Sequence, residues 1–164
     1  MKEQRHPEMG KEYPRTDQIL SLSAIVFFAI WILDSFLIRF PTGFTRYFSD
    51  GLCLVLFLSL EVIAIVLGYS SHESLFSKKH EEFKLIKTGV FAWVRHPLYL
   101  SILLAYLGFV FGSMSLVSLI PWFVYVLLFD RMATYEEEDL LRIFGEEYIE
   151  YKKRVPKWIP KLKK

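Results

Sequence analysis

Four apolar runs constrain this chain more than any other feature of it. The first, from Gln18 to about Phe40, reads QILSLSAIVFFAIWILDSFLIRF. At about 1.5 Å of rise per residue, a helix of that length reaches across the roughly 30 Å of a bilayer's hydrocarbon core. Pro41-Thr42-Gly43 ends it. A second run goes from Gly51 to about Tyr69, a third from Pro97 to about Gly112, and a fourth from Leu116 to about Phe129. Gly112-Ser113-Met114-Ser115 carries no charge, so the last two runs should form a helical hairpin in the membrane, and Pro121 should kink the second arm. Lipid offers backbone groups no partners, so a spanning segment must satisfy them internally. The expected fold is therefore an all-α integral membrane protein. It has about four transmembrane helices, a cytoplasmic C-terminal helix and a docked tail.

Charge placement sets the orientation. Four Lys or Arg residues precede the first run and two lie at or just beyond its far end, Arg39 and Arg46; five lie between the second and third, none in the hairpin turn, and nine follow the fourth. Positive residues stay cytoplasmic, so both termini and the Ser70–Arg95 connection should be inside. The chain divides into a polar N-terminal tail (1–17), two transmembrane helices (18–69) and a core built from the connection, the hairpin and the C-terminal segment (70–164). The net charge of +2 gives no reason to expect nucleic acid. Cys53 stands alone, which excludes an internal disulfide, and His72 and His80 are too isolated for a metal site. Asp34 and Glu61 sit within apolar runs, where an acid must face protein or water; each reads as a structural or a pocket acid.

Two stretches carry candidate chemistry. In the first, Arg95-His96-Pro97-Leu98-Tyr99, Pro97 suits a first helical turn and pushes His96 out of the helical region. A helix beginning near Pro97 would offer free N–H groups to an anion beside His96, Tyr99 and Arg95. The second holds Glu136 and Glu137. If 133–151 is one helix, Leu140, Phe144, Tyr148 and Tyr151 make an apolar stripe that includes Glu137, with Glu136 at its edge and Glu138 pointing away. Brought together on the cytoplasmic side, the two corners would suit a zwitterionic amino-acid group. Spacing alone equally allows phosphate or a lipid headgroup.

Gly-Val-Phe-Ala-Trp-Val-Arg-His-Pro-Leu-Tyr (89–99), followed by Glu136-Glu137, Leu140-Leu141 and the block from Phe144 to Pro156, resembles the isoprenylcysteine carboxyl methyltransferase family, within the wider superfamily of membrane phospholipid and isoprenylcysteine methyltransferases. The resemblance implies an integral membrane enzyme that takes a methyl group from S-adenosylmethionine and releases S-adenosylhomocysteine. It implies that His96, Pro97 and Tyr99 bind the cofactor, that Glu136 and Glu137 hold its amino-acid end, and that Tyr148 and Tyr151 close over the adenosine. Arg131, near the family's arginine before the acids, and Glu137 would stand beside the reacting group. The implied acceptor is a lipophilic or prenylated molecule, with phospholipid amines and small thiols as alternatives within the superfamily. A nicotinamide-dependent reductase and a non-catalytic membrane module remain as competing classes.

Overall fold

In a computed structural model the described residues are 13–38, 48–76 and 84–160, and they are helical throughout their regular segments. The expected N-terminal tail, the stop at Pro41-Thr42-Gly43 and His80 lie outside them, apart from the tail's last residues. Five α-helices are described: α1 (Thr16–Ile32), α2 (Asp50–Phe76), α3 (Pro97–Ser113), α4 (Leu119–Phe144) and α5 (Glu146–Arg154). Thr16–Leu37, Asp50–Ser74 and Leu116–Phe144 are long and apolar enough to cross a bilayer, and Pro97–Ser113 is a shorter apolar helix. This arrangement fits an integral, multi-pass membrane protein.

Helix α3 is the axis of the bundle, and its two faces explain why. Residues 101, 108 and 112 share one side, while 99, 103, 106 and 110 share the other, as the 3.6-residue period requires. The first side meets α2, running antiparallel. A Cβ placed on Gly68 would lie 3.3 Å from Ser101 Oγ, one on Gly108 would lie 2.6 Å from Glu61 Oε1, and one on Gly112 would lie 3.1 Å from the Phe57 ring. Small residues at this seam let the two backbones approach closely, which is how helices associate where lipid competes for every apolar contact. Glu61 accordingly sits in the helix-helix seam, packed on Gly108, with Oε1 buried and lacking a hydrogen-bond partner among the described residues.

The second side of α3 builds the main core with α1 and α4: Phe27, Tyr99, Leu103, Tyr106, Val110, Tyr125, Phe129 and Met132. Phe27 stacks on Tyr106 at 4.2 Å between centroids, and Ser23 Oγ lies 3.1 Å from the Tyr106 hydroxyl. Trp122 Nε1 donates to the Leu103 carbonyl, tying α4 to α3. At the end remote from residue 96, α1 runs on into one turn of π-helix, Leu33–Ile38. That turn buries Asp34, which accepts a 2.6 Å hydrogen bond from Ser115 Oγ. Trp31 Nε1 donates to the Phe109 carbonyl and to Ser113 Oγ. Asp34 is thus an anchor for the turn between α3 and α4.

Three expectations are corrected. The second apolar run does not stop at Tyr69; its helix continues to Phe76, because Ser70 to Ser74 remain compatible with helix and Ser74 Oγ bonds back to the Ser70 carbonyl. Pro121 does not kink α4. It lies in the first turn, where its missing N–H removes no helical bond. The helix expected over 133–151 is broken at Gly145, which adopts φ 51° and ψ −123°, a conformation that costs glycine little. Upstream of that break α4 is continuous for 26 residues. At 1.5 Å per residue it is about 39 Å long, so its last turns project beyond a bilayer core.

The α2–α3 seam yields a stability prediction. Gly108→Leu should lower the melting temperature in detergent by several degrees, on the order of 1–3 kcal/mol, since Leu60 Cβ stands only 3.4 Å from the new Cβ. Gly108→Ala should be much milder, because only the end of the Glu61 side chain has to move. Equal melting temperatures for the two variants would contradict the close packing.

Candidate active site

The site forms where α3 begins and α4 ends. Pro97 is the first residue of α3, and His96 before it is non-helical at φ −124° and ψ 63°, as the His-Pro pair demands. A 3₁₀ turn over Gly89–Ala92 leads into it, entered through Gly89 at φ 61°. The projecting end of α4 presents Glu136 and Glu137 on the side facing this corner. Gly145 then turns the chain, and α5 packs back with Tyr148, Tyr151 and Val155 against Leu85, Leu140 and Phe144.

Glu137 is the hub. It is 4% exposed. Its Oε1 receives Arg95 Nε and Nη2, both at 2.9 Å, and lies 3.2 Å from His96 Nε2. Its Oε2 receives Lys152 Nζ at 3.0 Å. A carboxylate this deeply buried demands such partners. Glu136 accepts a 2.5 Å hydrogen bond from the Tyr99 hydroxyl, and its other oxygen is 3.7 Å from His96 Nδ1. His96 thereby touches both acids.

Arg95 also ties the site to the tail. Its Nη1 donates to the carbonyls of Lys152 (3.1 Å) and Val155 (2.7 Å), and its backbone N–H donates to the Pro156 carbonyl (3.0 Å). Tyr151 donates its hydroxyl to the Phe91 carbonyl, fastening α5 to the 3₁₀ turn. Beyond α5, Lys157 Nζ reaches the carbonyl and carboxylate of Asp130 and Thr134 Oγ1, while Trp158 Nε1 donates to Asp130 Oδ1. This lock brings the Trp158 ring to 6.0 Å from His96. On the membrane side, Tyr99 stacks on Phe129. Aromatic faces thus border the polar cluster from two directions.

Burial, and secondarily the charge of Glu137, pushes the Tyr148 hydroxyl to higher pKa; burial does the same for Tyr151. Both remain protonated donors across the physiological range. The Tyr148 hydroxyl is buried without a hydrogen-bond partner among the described residues. That hydroxyl, beside the Glu137 cluster, is a donor that none of the described side chains uses.

The sequence-derived candidates His96, Pro97, Tyr99, Glu136, Glu137, Tyr148 and Tyr151 therefore share one corner of the molecule. Arg131 does not join the cluster; it lies on the exposed side of α4. Arg95 was expected beside an anionic ligand, but in the structure it is spent on Glu137 and the tail carbonyls. Lys152 was missed, because Lys152-Lys153-Arg154 has the look of a solvated charge run. One signal was present: Lys152 follows Tyr148 by four residues and so shares its face of α5. Nothing in the sequence pointed to Trp158 meeting His96.

Residues 46–147 match the sequence profile of the phospholipid methyltransferase family. The chain belongs to that family. Among its relatives is the rat protein-S-isoprenylcysteine O-methyltransferase, 35% identical over 125 residues, which covers 70% of this chain and 42% of the relative. The Saccharomyces cerevisiae protein of the same name is 30% identical over 161 residues, 92% of this chain and 64% of the relative. A methanethiol S-methyltransferase of Pseudomonas deceptionensis is 25% identical over 169 residues, 96% of this chain and 63% of the relative. The chain spans about half the length of the curated isoprenylcysteine relatives it matches. Family membership agrees with the motif resemblance and with the all-helical membrane architecture.

The buried ion pair can be tested directly. Arg95→Ala strands a buried carboxylate, so it should destabilise the protein by about 3–5 kcal/mol in detergent unfolding. Combining Arg95→Met with Glu137→Gln should recover more than half of that loss. Additive losses in the double variant would mean that the two side chains do not act as a pair.

Proposed function

We propose that this protein is a membrane methyltransferase that uses S-adenosylmethionine and acts on a lipophilic acceptor at the cytoplasmic face. The observation that carries this is the meeting of the Arg95–Tyr99 corner with Glu136 and Glu137, 41 residues further along the chain from His96 to Glu137. The donor set fits the group. Two carboxylates suit an ammonium and a sulfonium, aromatic faces suit the sulfonium and adenine, and Tyr148 offers an unused hydroxyl. S-adenosylmethionine, when bound, supplies a methyl carbon made electrophilic by its sulfonium.

The chain's residues would do three things for such a transfer. Glu136 and Glu137 would hold the amino-acid end, with His96 fixed between them. Tyr148, Tyr151 and the tail would exclude water on the nucleoside side. The projecting end of α4, one piece with its membrane span, would hold the acids at constant height above the bilayer, so that an acceptor arriving from lipid meets the methyl group in line. Alignment and desolvation are then the main contributions. A carboxylate acceptor is already ionised at neutral pH and needs no base; an amine or thiol would have to lose a proton, and His96 or an acid would take it.

The acceptor most in keeping with the relatives is the carboxylate of a prenylated cysteine, the group implied by the name protein-S-isoprenylcysteine O-methyltransferase. The methanethiol S-methyltransferase, matched along nearly the whole chain, supports a thiol acceptor as the second reading. The alternation of Lys and Arg between connections supports cytoplasmic termini and a cytoplasmic site.

Purified protein in detergent should bind S-adenosylhomocysteine, and His96→Ala and Glu137→Gln should each weaken that binding by more than about tenfold while circular dichroism stays helical. Wild-type affinity in both variants would reject the site. Labelled methyl transfer to farnesylcysteine analogues should give a base-labile product, as an ester must; a base-stable product would favour the thiol or amine reading.

A further inference from the structure

The two oxygens of Glu137 are not equivalent. Oε1 is held by Arg95, whose side chain is 8% exposed, and by His96, at 7%. Oε2 is covered by Lys152, whose side chain is 53% exposed. Arg95 is held in place: its Nη1 also donates to the Lys152 and Val155 carbonyls. Lys152 can leave. Its backbone is fixed by that same arginine, but its ammonium sits on a flexible four-carbon stem that opens to water. Glu137 therefore has one oxygen locked into the fold and one occupied by a replaceable ammonium.

Around the two acids stand two cations, Arg95 and Lys152, with the His96 imidazole between the carboxylates. A ligand ammonium that takes Oε2 must release Lys152, and the released cation then stands within one side-chain length of the newcomer. An α-amino acid brings its carboxylate next to its ammonium. Of the nearby cations, Arg154 pairs with Glu150 and Lys87 with Glu147, whereas Lys152 already stands on Glu137 itself.

We propose that Lys152 is a binding residue for the carboxylate of the donor's amino-acid end, parked on Glu137 until an incoming ammonium takes its place. The exchange swaps one ion pair for two and leaves no buried charge unpaired. It selects for a zwitterion, because an ammonium without a carboxylate would displace Lys152 and give it nothing in return. This inference rests on the assignment of an S-adenosylmethionine-type ligand to the site.

The test is isothermal calorimetry on the full chain in detergent, with S-adenosylhomocysteine and its decarboxylated analogue as probes. Lys152→Met should weaken S-adenosylhomocysteine by about five- to tenfold, the scale of one charge-assisted hydrogen bond partly screened by water. The same variant should leave the decarboxylated analogue unweakened or tightened. Lys152→Arg should keep most of the affinity for S-adenosylhomocysteine. Equal weakening of both probes would overturn the proposal, since Lys152 would then act only through the fold. Tightening of both would also overturn it, making Lys152 a mere competitor. If wild-type protein bound neither probe, the assignment of the ligand class would fall, and this inference with it.

Discussion

Everything at the corner where α3 begins and α4 ends depends on one buried carboxylate. Glu137 draws in Arg95 and His96 from the start of α3 and Lys152 from α5. A charge at that depth is tolerated only with several donors in good geometry. Satisfying it forces three separate stretches of chain to a common point. Arg95 extends the effect, because the N–H groups it does not give to Glu137 capture tail carbonyls. One electrostatic requirement thereby fixes the start of α3, the fold-back of α5 and the path of the tail.

The membrane part of the molecule serves that corner by being stiff. Helix α3 is gripped on both sides: by α2 through a seam of small residues, and by α1 and α4 through aromatic packing. Helix α4 runs without a break from its first turn in the membrane to Phe144. The acids are therefore mounted on a rod whose lower part is held in lipid. At the far end, Asp34, Ser115 and Trp31 clamp α1 to the turn between α3 and α4, so both ends of the hairpin are anchored. Asp34 bonds to Ser115 at the far turn, and Glu61 packs on Gly108 in the α2–α3 seam.

The C-terminal segment is a cover built from local rules. Gly145 alone permits the reversal that lets α5 lie back on α4. Tyr151 fastens it to Phe91, and Asp130 holds Lys157 and Trp158. The result is a site floored by Tyr99 and Phe129 and flanked by Trp158, with polar groups concentrated between them. Such a layout suits a ligand that is charged at one end and aromatic at the other.

Much of this was legible in the residues. Apolar runs near bilayer length specify helices, because no other open structure satisfies its backbone in lipid. Pro97 dictated both the start of α3 and the non-helical state of His96, since a proline ring clashes with a helical predecessor. The stripe through Leu140, Phe144, Tyr148 and Tyr151 correctly buried Glu137 and exposed Glu138, although the helix proposed to carry it is in fact two. What only the tertiary structure decided is pairing. Whether Arg95 faces a ligand or Glu137, whether Lys152 is solvated or stands guard on a carboxylate, and whether Arg131 reaches the site depend on contacts between residues tens of positions apart. Local sequence sets backbone conformation and the face on which a side chain lies. The partner it meets there is chosen by how helices pack, and that is a property of the whole bundle.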